Sequence, residues 1–221
     1  LRPFDFEPEN HFYPKVLNSQ LHPLVSFFFG LGNERIVQRY CHLNPQVEQN
    51  KLRELLDYRT SHFHWGGSDL FYTTTKTGNR KVVVIETNSC PSGQKSMPLT
   101  NESIEQGGYH TLITQCFKEY LKESQVPEGK LAVLYDKNLM EASGYAATMA
   151  DVFQEEVYLV PFFSDQTNEH VRFKDGVLQV KIQDDWVPIR GALRYVTQKP
   201  WTRIPLISKT VILNPVIACL A

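Results

Sequence analysis

Several absences narrow this chain before any motif does. Its longest apolar stretches are broken within roughly 10 residues by Pro, Asn or Lys, whereas a bilayer-spanning helix needs about 20, so no membrane role is expected. Charge of one sign is also lacking: 23 basic against 24 acidic residues give a formal net charge of −1, which offers no electrostatic pull toward nucleic acid. Cysteine is sparse, and the four present, Cys41, Cys90, Cys116 and Cys219, show neither a C-x-x-C pair nor the even spacing of a zinc site or disulfide framework. Reduced thiols in a cytoplasmic protein are the expectation. Leu131 to Tyr135, LAVLY, is followed by D-K-N-L-M-E rather than the G-x-G-x-x-G of a dinucleotide-binding turn. The chain starts without methionine and stops on the apolar run VILNPVIACLA, with no polar tail; a piece of a longer protein is expected. At 221 residues and 42% hydrophobic content, it is long enough for one large or two small globular domains.

What is present is concentrated in Val82 to Gly93, VVVIETNSCPSG. Residues two apart on a strand share a face, so Glu86 and Asn88 direct hard oxygens to one point at the strand's end. Such a sparse oxygen set suits magnesium, which takes one or two carboxylates from protein and the rest from water and phosphate. Ser68 to Thr75, SDLFYTTT, reads as a second strand, and the turn in Thr77 to Arg80, TGNR, folds it back onto VVVIE as an antiparallel hairpin. Asp69 and Glu86 then face each other across the ladder, where two carboxylates repel unless a cation lies between them or one is protonated.

The order of an acid, a hairpin and then E-x-N-x-x-P-x-G, from Asp69 to Gly93, resembles the metal-binding signature of the ATP-grasp ligases. The resemblance implies that Asp69, Glu86 and Asn88 hold Mg2+ bridging the phosphates of ATP, and that a carboxylate substrate is phosphorylated before an amine (or thiol) displaces the phosphate. Many members carry Arg two residues before the first acid; this chain has Gly67. The signature comes early, with what resembles the family's opening domain behind it. The chain therefore looks like a circularly permuted member, similar to the glutathionylspermidine-synthase-like and glutathione-synthetase-like groups, and the nucleotide-binding lysines are expected beyond residue 221. By the same resemblance Lys95 and Ser96, just past the turn, hold the carboxylate of the acceptor substrate, with a solvated Lys95 as the alternative.

The remaining segments fill in an α/β protein. Residues 1 to 30, including SFFFG, read as a wrapping segment with one short helix. Asn44-Pro45 suits a helix start, and Val47, Leu52, Leu55 and Leu56 give that helix an apolar stripe out to Asp57. In His62-Phe63-His64 two imidazoles share a strand face, but no third zinc ligand is evident and magnesium does not favour imidazole. A helix is expected from a Thr100-Asn101 cap, with Glu102 and Glu105 in its first turn and Ile104 to Leu121 on its apolar face; Gly107-Gly108 should bend it near its start. LAVLY, a helix over Met140 to Glu155 and the strand Val157 to Phe162 form a β-α-β unit. Val171 to Val187 reads as two short strands around DG and DD turns. Ile189 to Val196 and the final VILNP are further strands. Arg190 and Arg194, four residues apart, suit either an anionic substrate or surface salt bridges, with Arg194 taken as a substrate-binding candidate. Asp136 and Asn214 stand at strand ends, where ligands gather in open sheets but turn formers are also common. The expected division is residues 1–100 as the metal-bearing antiparallel half of a permuted ATP-grasp fold and 101–221 as a Rossmann-like open-sheet domain, expected to be cut short at its C-terminal end. The expected function is ATP- and Mg2+-dependent carboxylate-amine ligation, with small-molecule carboxylate and amine substrates as partners. A non-catalytic interaction domain of the same fold and a Rossmann-type nucleotide-binding protein are the alternatives.

Overall fold

A computed structural model describes every residue except 24, 25, 28, 29, 100, 102, 164–168, 220 and 221. Its centre is β3 (Lys130–Tyr135), in which Leu131, Ala132, Val133 and Leu134 are all buried. A strand covered on both faces reads as a continuous apolar run, not an alternating one. Leu131 and Val133 join Leu193, Tyr195, Val211 and Leu213 in one core cluster; Ala132 and Leu134 join Ile189, Ala192 and Ile212 in another.

Two strands flank β3 in parallel: β4 (Val157–Pro161) on one edge and β7 (Asp185–Tyr195) on the other. The far edge of β7 is shared. Its first half pairs antiparallel with β6 (Val177–Ile182), which in turn pairs with β5 (Val171–Lys174), while Gly191 to Leu193 pair in parallel with β8 (Val211–Leu213). The expected break between Val187 and Ile189 is not present. The turn between β6 and β7 falls at 183–184, where Gln183 takes a positive φ, and from Asp185 the strand runs uninterrupted.

Between β3 and β4 runs a largely buried helix, α6 (Leu139–Phe153). Its Ala142, Ala146 and Ala150 are buried with Tyr145 and Met149, small residues that let the helix lie close to the sheet. Before β3 comes α5, built from an α-helical turn Gly108–Leu112, a π-helical turn Ile113–Phe117 and an α-helical stretch Lys118–Glu123. Sequence pattern placed its start near residue 101. Gly107 adopts φ +54°, a left-handed conformation that a right-handed helix cannot include, so the described residues before Gly108, Ile104 among them, lie outside the helix. The cap assigned to Thr100 and the first-turn Glu102 lie outside the described residues.

Among the described residues the N-terminal segment holds more than one short helix, including α1 (Pro8–His11) and α2 (Pro14–Leu17), each with Pro in its first turn. Phe12 and Val16 enter the same core as Tyr109 and α6. Phe28 and Phe29 of SFFFG lie outside the described residues. Next come α3 (Asn33–Leu43), which sequence pattern did not assign, and α4 (Gln49–Asp57). Asn44 ends α3 instead of opening α4: both its backbone N–H and its side-chain amide donate to the Tyr40 carbonyl. The stripe on α4 stays on the surface, none of its residues being buried. Among the described residues no helix is long and apolar enough to cross a membrane.

A separate two-stranded antiparallel sheet, β1 (Gly67–Thr74) and β2 (Arg80–Asn88), stands off this body. Gly78, at φ +82°, supplies the left-handed residue that the 75–79 turn requires.

Candidate functional site

The site starts at the open end of the β1–β2 hairpin. From the turn outward, Thr74 pairs with Arg80, Tyr72 with Val82 and Leu70 with Val84. Continued unchanged, that register sets Asp69 against Ile85. A β-bulge intervenes between Asp69 and Leu70 on the ladder, and Glu86 becomes the partner of Asp69. An extra residue in one strand re-aims the side chains beyond it, so the bulge is what brings the two carboxylates together. Asn88, two pairs further out opposite Gly67, donates from Nδ2 to Glu86 Oε1 at 3.2 Å. Asp69 and Glu86 are exposed and Asn88 is half-buried.

These three residues offer two carboxylates and one amide oxygen. Among the described residues there is no group of three or more His, Cys, Asp or Glu placed to hold a metal ion. A metal at this hairpin therefore draws most of its coordination from water or substrate oxygens, which is how magnesium is usually held and how zinc is not. The His64 ring lies 4.2 Å from that of Tyr120, and burial holds its pKa below the ordinary value.

The base of the hairpin is fixed to the carboxyl edge of the larger sheet by Asn214, which directly follows β8 and is 1% exposed. Its Oδ1 accepts from the backbone N–H of His64 (2.9 Å) and Trp65 (3.2 Å), and its Nδ2 donates to the carbonyls of Trp65 and, at 2.7 Å, Ser89. Arg194 lies directly behind. Its Nε donates to Asn214 O at 2.7 Å and its other nitrogens to Val196 O and Ser89 Oγ, leaving the side chain 1% exposed. Arg190, by contrast, forms an ion pair with Glu155 and also donates to Gly129 O.

Beyond Asn88 the chain enters the loop 91–96, held by Glu141 of α6. The carboxylate of Glu141, fully buried, accepts from the N–H of Gly93 (2.8 Å) and Gln94 (3.0 Å), Ser92 Oγ (3.0 Å), Lys95 Nζ (2.6 Å), Tyr145 OH (3.1 Å) and Tyr195 OH (3.0 Å). Burial alone raises its pKa; the Gly93 N–H and the Lys95 ammonium outweigh that and hold it below the usual carboxylate range. Lys95 is thus buried against a protein carboxylate, while Ser96 stays exposed. Asp136, after β3, makes a similar clamp: it accepts from the backbone N–H groups of Thr197 and Gln198 and pairs with Arg203 at 2.9 Å.

The ladder thus sets Asp69 opposite Glu86, with Asn88 bonded to Glu86 and Ser96 on the loop beyond, while Lys95 and Arg194 have protein partners. Glu141 and Tyr195 were not singled out by sequence reasoning; an isolated Glu in an alanine-rich helix, at M-E-A-S-G-Y-A-A, is the one signal that marks a buried charge. A cavity of about 500 Å³ is lined by Phe63, His64, Cys116, Glu119 and Tyr120, but by none of the three hairpin residues. No family model and no curated protein matches this chain.

Proposed function

We propose that the hairpin end is the magnesium site of an ATP-dependent carboxylate-amine ligase of the circularly permuted ATP-grasp type. The observation that carries this reading is the bulge in β2, which sets Glu86 opposite Asp69 with Asn88 bonded to Glu86. Nothing in the packing of the body calls for two facing, exposed carboxylates, and like charges directly across a ladder are unfavourable without a cation. Bound there, Mg2+ would neutralise charge on the phosphates of ATP during phosphoryl transfer to a carboxylate.

The chain's own residues have separate parts in this scheme. Asp69 and Glu86 supply the carboxylates, and Asn88 orients Glu86 through its Nδ2 while keeping its amide oxygen for the ion. The loop 91–96, held by Glu141, walls the space beyond Asn88, with the Ser96 hydroxyl free to meet substrate. The apolar side chains on both faces of the hairpin suit a strand pair built into a larger sheet, as an ATP-grasp fold would provide.

Isothermal titration of Mg2+-ATP into the protein tests the reading, with Glu86→Gln and Asp69→Asn as comparisons. Nucleotide binding that requires Mg2+ and weakens at least tenfold in each variant is the expected result. Binding that is indifferent to Mg2+ or to both substitutions overturns it. In the complete protein carrying this sequence, ATP consumption in the presence of amino acids and polyamines should be lost in Glu86→Gln and Asn88→Ala.

A further inference from the structure

We infer that Asn214 is the positioning residue of this site: one side chain sets where the Asp69–Glu86 pair stands relative to the larger sheet. The two-stranded hairpin shares no strand pairing with that sheet among the described residues. Its strands leave the body at two points, after Trp65 and before Ser89, and the Asn214 amide bonds the backbone at both.

The chemistry requires asparagine. A side-chain amide has two acceptor positions on its oxygen and two N–H donors. All four are used here: Oδ1 accepts from His64 and Trp65, and Nδ2 donates to Trp65 and Ser89. Aspartate, almost the same size, keeps the acceptor half but turns a carboxylate oxygen toward two carbonyls. Leucine keeps neither half. Glutamine is one methylene too long for a site with 1% exposure. Arg194 holds the Asn214 backbone from behind and also reaches Ser89 Oγ, so the contact is braced from the sheet side. Asp69 lies four residues beyond Trp65, and Asn88 directly precedes Ser89; whatever moves the base moves the carboxylates.

For the metal, this inference rests on the magnesium reading above; for the placement of the hairpin it does not, and the experiment separates the two. Backbone 15N relaxation is measured on the wild type and on Asn214→Asp. In the wild type, amides of β1 and β2 should have order parameters near 0.85, as in β3; in the variant they should fall below about 0.6 while cross-strand contacts within the hairpin persist. A general loss of stability would not loosen the hairpin selectively. Variant order parameters equal to those of the wild type overturn the inference. If the variant does not fold, hydrogen exchange on the wild type decides: the His64 and Trp65 amides should be protected like those of β8, and exchange as fast as the 75–79 turn refutes the contact. Mn2+ titration is the second arm, with at least a tenfold weaker affinity expected in Asn214→Asp although Asp69, Glu86 and Asn88 are untouched. Wild type that binds no Mn2+ defeats the magnesium reading and leaves the relaxation result to judge Asn214.

Discussion

Cys90 shows how much one residue's surroundings decide. It lies two positions past Asn88, donates its S–H to Arg194 O at 3.0 Å, and is buried. Burial pushes its pKa up to about 11, although the Arg194 charge pulls the other way. At pH 8 roughly a thousandth of such a thiol is ionised, against about a quarter of an ordinary one, and only the thiolate is nucleophilic. Iodoacetamide at pH 8 should therefore alkylate the partly exposed Cys219 at least tenfold faster than Cys90, as read by peptide mass spectrometry; equal labelling would show that the Cys90 contact opens readily. The same scale shows what sequence can and cannot tell. Asp69, Glu86 and Asn88 stood out because strand alternation and a turn signal are local. The expected pairing of Asp69 with Glu86 is met, but through a bulge that makes Glu86 rather than Ile85 the partner of Asp69, and that bulge has no such local signature.

At the scale of elements, the loop 91–96 and α6 depend on each other through Glu141. Its folded pKa is depressed, so its contribution to stability is present above the unfolded value of about 4.3 and is lost as pH falls through the folded value. Glu141→Gln leaves the Lys95 ammonium buried without its counter-charge, which costs about 3 kcal/mol or more. Urea melts should show that deficit at pH 7 and a narrowing gap between variant and wild type below about pH 4; a constant gap down to pH 2 would mean that another group carries the acid sensitivity. On the same helix, a Cβ at Gly144 would lie 2.7 Å from Tyr109 Cζ and 3.0 Å from its hydroxyl. Tyr109 is fully buried and donates to His11 O at 2.8 Å, so it has little room to retreat. Gly144→Ala gains up to about 1 kcal/mol of helix propensity, yet overpacking costs about 1 to 3. A net loss of up to about 2 kcal/mol in the melt is expected, and a more stable variant would show that the ring does move. The buried strands and α6 were legible because long apolar runs and alanine-rich periodicity are strong signals. The start of α5 and the role of Asn44 were not: each turns on one residue's backbone conformation or one capping bond, and several neighbouring residues fit the same pattern. The partner of Lys95 is 46 positions away, beyond any local rule.

On the scale of the whole molecule, the main asymmetry lies between a body covered on both faces and a hairpin covered on neither. Phe71 and Val83 pair on one face, and Leu70 with Val84 and Tyr72 with Val82 on the other; all are exposed, Tyr72 at 81%. A lone two-stranded ribbon is marginally stable in water, and contiguous apolar surface of this kind marks a place where something else packs. Alternation predicted which residues share a face, but not that both faces would be bare, because a β-branched run reads alike in a covered strand and in an uncovered one. Two consequences can be separated. If the ribbon is the dominant exposed apolar surface, the protein should bind a hydrophobic dye such as bis-ANS in its native state, and replacing the pair Phe71→Thr with Val83→Thr should cut that binding by about half. Because neither side chain packs against the body, the same double variant should change global stability by less than about 1 kcal/mol. Dye binding that is unaffected would place the sticky surface elsewhere. A large loss of stability would instead mean that the ribbon folds back onto the body, and that the end bearing Asp69 and Glu86 is held by more than the Asn214 amide.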